Sequence, residues 1–112
     1  MSGLSNRFNR EEVGGAWSFW HRCLWCGKTG FNAFHHIISP SSQWYKKGDF
    51  NRSILNSFPI HNHGCHLYNP DLHKPETEKR LLKQVLRILL SRGYELTKRD
   101  VEFYQAYKGL YD

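Results

Sequence analysis

The sequence predicts an α+β fold in one small domain, because two short strand-like runs at residues 31–38 and 54–60 precede helical segments opening near Pro75 and Thr97. Cysteines and histidines crowd the strand-bearing half and supply the internal staple needed by a chain of 112 residues, which buries only a modest apolar core. Four Trp, six Tyr and seven Phe make that core aromatic-heavy. Sixteen Lys and Arg against ten Asp and Glu leave a formal charge of +6, which favours a polyanionic partner through phosphate neutralisation. No apolar run approaches the roughly 18 residues of a membrane span, and the first ten residues lack the apolar stretch of a signal peptide. A soluble, intracellular protein without a membrane partner is therefore expected.

In chain order, residues 1–15 read as a loosely ordered basic arm, since they are polar, carry Arg7 and Arg10, and end in the helix-breaking pair Gly14-Gly15. Residues 16–112 form the single domain. Trp17-Ser-Phe-Trp20 reads as core packing under the cysteine-bearing turn, with base stacking as the alternative. β-branched and aromatic residues from Phe31 to Ile38 predict a strand, which Ser39-Pro-Ser-Ser42 ends. The loop Gln43–Arg52 mixes cations with rings, as a nucleic-acid-facing loop or a solvated excursion does. Ile54–Ile60 predicts a second strand, marked as an edge by Pro59.

After His61-Asn-His-Gly-Cys-His66 a short helix is expected up to Pro70. Pro75 then suits the first position of a longer helix, Glu76 and Glu78 favour its positive end, and Gly93 follows its last turn. Leu81, Leu82, Val85, Leu86 and Leu89 make its apolar stripe, while Lys79, Lys83 and Arg87 recur along another face. Thr97 and Asp100 have the spacing of a capping box and open the last helix. These two helices are expected to close over the metal-rich half.

The odd cysteine count argues against a disulfide framework, and Cys23-Leu-Trp-Cys26 has the spacing of zinc knuckles and of redox motifs. Metal binding uses Cys65 as well, whereas a thioredoxin-like reading leaves it idle. Six of the seven histidines, His35, His36, His61, His63, His66 and His73, fall in one segment, more than structural histidines alone explain. Ligand type separates two environments: thiolates select zinc, and imidazoles with open positions accept a hydrated cation.

Cys23-Leu-Trp-Cys26, His35-His36-Ile37, Asn56-Ser-Phe-Pro59 and Cys65-His66, in that order, resemble the HNH endonucleases with the ββα-metal fold over residues 23 to 73. The resemblance implies a ββα-metal core with a zinc knuckle and C-terminal helices, of the small phage or prophage type. It implies that His35 and His66 bind a divalent cation (Mg, Mn, Ni or Zn) and that His36 is the general base. A local turn or bulge is expected to bring both strand histidines toward the phosphate. Asn56 is implied to orient the base by bonding across the strands. His73 either completes the cation site or is a surface residue before the next helix.

The family's second C-x-x-C is incomplete here, so the structural zinc takes Cys23, Cys26, Cys65 and either His61 or His63. His61 is favoured because three intervening residues close a knuckle more easily than one. The function implied is metal-dependent hydrolysis of DNA phosphodiesters, by nicking or double-strand cleavage, in a monomer or homodimer in the bacterial or phage-infected cytoplasm. Phage packaging or recombination proteins are implied partners. The alternative is a noncatalytic, zinc-stabilised nucleic-acid-binding module, which requires the cysteines and the basic helix face but not the four residues His35, His36, Asn56 and His66 together. A phage scaffolding role accounts for the size and none of the histidines.

Overall fold

Helix α1, Arg10–Ala16, opens where Asn9 Oδ1 accepts the backbone N–H groups of Glu11 (2.9 Å) and Glu12 (3.1 Å), in a computed structural model that describes residues 7–112. Gly14 and Gly15 lie inside this helix, not at a break. Each glycine costs about 1 kcal/mol of helix stability. The cap, two acidic residues at the positive end, and the buried anchors Val13 and Trp17 offset that cost. The expected loose arm is thus a docked helix from residue 10 onward, and residues 1–6 of it lie outside the described residues. Trp17 is core and donates from Nε1 to Ser57 Oγ (2.8 Å).

The fold is α+β with a two-stranded antiparallel sheet. β1 (Ala33–His36) and β2 (Ser57–Ile60) pair Ala33 with Ile60, Phe34 with Pro59, His35 with Phe58 and His36 with Ser57. Both strands are shorter than the apolar runs that predict them, because side chains compete for the backbone. Ser53 Oγ accepts the Leu55 N–H (3.0 Å), folding Ile54–Asn56 into a 3-10 turn. The Asn56 amide takes both main-chain groups of Ile38, which removes that residue from the ladder. Pro59 is tolerated at a sheet edge, and its carbonyl accepts from Leu24 N (2.9 Å).

The helix expected after the cysteine–histidine cluster is not formed. Asn62–His66 is one kinked turn in which His63 is extended and Gly64 sits at φ +82°, a left-handed conformation that glycine adopts without strain. A 3-10 turn at Pro70–His73 follows. α2 (Pro75–Ser91) then runs as its end signals predict: Pro75 is its first residue, and Gly93 at φ +81° turns the chain so that Tyr94 N reaches Leu89 O (3.0 Å). Its stripe Leu81, Leu82, Val85 and Leu89 is buried against β2, the Ile54–Asn56 turn and the Pro70–His73 turn. α3 (Lys98–Ala106) starts with the full capping box, Asp100 N to Thr97 Oγ1 (3.2 Å) and Thr97 N to Asp100 Oδ2 (2.9 Å). It packs on the turns Asp49–Arg52 and Ile54–Asn56. The 43–52 loop is tied down: Tyr107 Oη donates to Asn51 Oδ1 (2.7 Å), and Lys46 Nζ donates to Ala106 O (2.8 Å). Among the described residues no helix is long and apolar enough to cross a membrane.

Candidate metal centres

The first centre is built on the turn after Cys23, closed by Gly27 N to Cys23 O (2.8 Å) and Cys23 N to Lys28 O (2.9 Å), with Gly27 at φ +80°. β2 delivers His61 at its end, and the kinked turn delivers Cys65. One ligand atom from each of Cys23, Cys26, His61 and Cys65 lies within 4.8 Å of every other. A tetrahedral zinc with Zn–S bonds of about 2.3 Å holds its ligand atoms roughly 3.5–4 Å apart. His61 Nδ1 stands 3.3 Å from Cys26 Sγ and 3.9 Å from Cys65 Sγ, which fits that spacing.

The donor set is prepared in detail. His61 Nε2 donates to Thr29 O (2.9 Å), which leaves Nδ1 as the nitrogen facing the sulfurs. The Thr29 carbonyl and then Cys26 raise the His61 pKa, so a metal bound there takes the place of a proton. Cys23 is fully buried, and its Sγ accepts the backbone N–H groups of Cys26 (3.5 Å) and His61 (3.4 Å). The Lys28 backbone N–H lowers the Cys26 pKa to about 7, whereas desolvation and the neighbouring cysteines push Cys65 up to about 12. Three thiols this close resist ionising together, and a divalent cation removes the conflict. The cluster could hold a zinc ion. His63 is exposed and is not among its four members, so His61 is the histidine that joins the thiols.

The second group forms around β1. The ladder is regular through His35 and His36, so no bulge turns them to one side and their rings leave opposite faces of the sheet. His35 faces inward and is 3% exposed, with the His66 ring centroid 5.0 Å away and that of His73 5.6 Å away. His35 Nε2 is buried without a hydrogen-bond partner. An orphaned buried imidazole nitrogen is costly, but among the described residues only Cys23, Cys26, His61 and Cys65 bring their ligand atoms close enough together to hold a metal ion. His66 and His73 come from separate turns, divided by Tyr68 at φ +62°, and not from one helix face.

Burial and mutual repulsion favour the neutral imidazoles in this group. Burial, then the charges of His66, His73 and His36, lower the His35 pKa to about 3; burial and His73 lower that of His66. Asn62 Oδ1 lies 3.2 Å from His66 Nδ1 and accepts from it, leaving Nε2 as the free lone pair, and Asn32 Oδ1 in turn accepts the Asn62 N–H (2.8 Å). Nothing in the sequence pattern marks these two asparagines as supports. His36, the last residue of β1, is half-buried and lies face to face with Phe8.

Asn56 is fully buried between these parts. Its Oδ1 accepts Ile38 N (2.7 Å), and its Nδ2 donates to Ile38 O (3.0 Å) and Asn51 O (3.0 Å). It therefore clamps the chain two residues beyond His36 from across the sheet.

The depressed His35 pKa carries a prediction. Below about pH 6.5 the unfolded chain takes up a proton that folded His35 refuses until about pH 3, so stability falls as the pH drops through that window. Denaturant titrations from pH 8 to pH 4 are expected to show a loss approaching 1.4 kcal/mol per pH unit, and His35→Gln is expected to flatten that slope. An unchanged slope in the variant would remove His35 as its source.

Comparisons with protein-family models, with curated proteins and with solved structures give no match for this chain.

Proposed function

We propose that the chain is a metal-dependent endonuclease of the HNH type that hydrolyses DNA phosphodiesters, stabilised by a zinc knuckle of Cys23, Cys26, His61 and Cys65. The observation that carries this reading is the buried, unpartnered Nε2 of His35 beside His66 and His73, next in sequence to a second histidine on the other face of the strand. His35, His66 and His73 would hold the divalent cation, whose chemistry is to place positive charge on the phosphate oxygens. His36 is assigned the proton of the attacking water as the water oxygen bonds to phosphorus and the P–O bond to the leaving oxygen breaks. Because its ring leaves the face opposite His35, this role requires the phosphate to sit at the end of β1, within reach of both faces. Asn56 keeps the strand exit rigid and so limits where His36 can point. The formal charge of +6 supplies attraction for the polyanion.

The tightness of the cysteine cluster favours a second reading, a zinc-stabilised nucleic-acid-binding module without catalysis. Binding and chemistry separate the two. His35→Ala and His66→Ala are each expected to lose cation-dependent nicking of supercoiled plasmid while binding DNA with the salt dependence of the parent, because lysines and arginines supply the affinity by releasing counterions. Filter-binding titrations over a range of salt, paired with nicking assays over Mg, Mn and Ni, measure both. A parent protein that binds tightly and never nicks with any of these cations hands the function to the binding-module reading.

A further inference from the structure

Phe8 and His36 have ring centroids 3.8 Å apart and planes within 5° of parallel. So close a face-to-face contact between distant parts of the chain requires both partners to be held. The Arg7 carbonyl accepts from Arg52 Nε (3.0 Å), and Asn9 is bound into the cap of α1, so the residues on either side of Phe8 are fixed. α1 leads directly to Trp17, whose Nε1 bonds Ser57 Oγ (2.8 Å). Ser57 is the residue paired across the sheet from His36. The segment before the sheet is thus latched at the strand position opposite the histidine and laid over its ring.

We propose that Phe8 is a positioning residue for His36, its ring setting the plane in which the imidazole nitrogens meet the substrate. An imidazole alone rotates about χ2 in a broad, roughly two-fold well. A flat ring on one face restricts that rotation, and it does so without covering the nitrogens, because their lone pairs lie in the ring plane. Asn56 holds the backbone beyond His36, and Phe8 packs flat against its ring. The consequence for turnover rests on the nuclease reading; the orientation does not.

The test uses the zinc-loaded full chain in three forms: parent, Phe8→Leu, which keeps apolar bulk, and Phe8→Tyr, which keeps the ring. Imidazole carbon–proton spectra, with His36→Gln to identify the His36 signals, are expected to show ring-current upfield shifts in the parent and in Phe8→Tyr that are lost in Phe8→Leu. In plasmid nicking, Phe8→Leu is expected to lower kcat about 10- to 100-fold with KM within about twofold, and Phe8→Tyr to restore kcat. Identical His36 signals in the parent and Phe8→Leu overturn the proposal, as does a raised KM with unchanged kcat, which would make Phe8 a substrate contact. A parent protein that never nicks removes the nuclease reading, and the spectra then decide the positioning of His36 alone.

Discussion

His36→Ala is expected to lower the rate of plasmid nicking by about 100- to 10,000-fold, the range over which loss of a general base acts. Its cost to the fold is small by comparison. His36 is half-buried at the end of a strand, and its stacking on Phe8 contributes roughly 1 kcal/mol. Initial nicking rates and thermal melts on the same preparation separate the two effects. Near-parental turnover in the variant takes His36 out of the mechanism.

Cys23→Ser is expected to have the largest effect on stability. Cys23 is fully buried, its sulfur receives two backbone N–H groups, and it joins the early turn to the end of β2. Structural zinc contributes on the order of 10–16 kcal/mol in small zinc-binding peptides. That matches or exceeds the roughly 5–15 kcal/mol by which whole domains are stable. The variant is therefore expected to lose its zinc and to melt far below the parent, and a strong chelator is expected to do the same to the parent. Metal analysis that finds no zinc in fresh protein, together with a normal melt for Cys23→Ser, would falsify the knuckle.

Signals carried by neighbouring residues were legible in the sequence, and signals carried by distant ones were not. Pro75, Gly93 and the Thr97–Asp100 box act within one helical turn, and the ends of α2 and α3 fall where they indicate. His61 could be preferred to His63 from loop length alone, and it is His61 that meets the three sulfurs. The limits of the strands depend on Ser53 and Asn56, whose side chains take backbone groups that an alternating pattern assigns to a ladder. α1 survives two glycines because Val13 and Trp17 are buried, Trp17 against a segment that includes Ser57, forty positions further on. Such contacts leave no periodic trace. The stacking of Phe8 on His36 and the support of His66 by Asn62 and Asn32 belong to the same class.

Asp100 decides whether the cysteine- and histidine-rich segment can be excised. Beyond its place in the α3 capping box, its buried carboxylate accepts from Ser53 Oγ (2.6 Å), from Ile54 N (3.2 Å) and from the Tyr94 hydroxyl. Ser53 and Ile54 begin the very turn that carries Asn56 and feeds β2. A fragment trimmed to residues 23–73 keeps every proposed ligand and loses the acceptor that holds that turn, leaving two donors in a former interior with no partner. The cysteine and histidine segment is therefore not a portable cassette. Grafting it into another scaffold requires a carboxylate supplied from outside the motif at the same place.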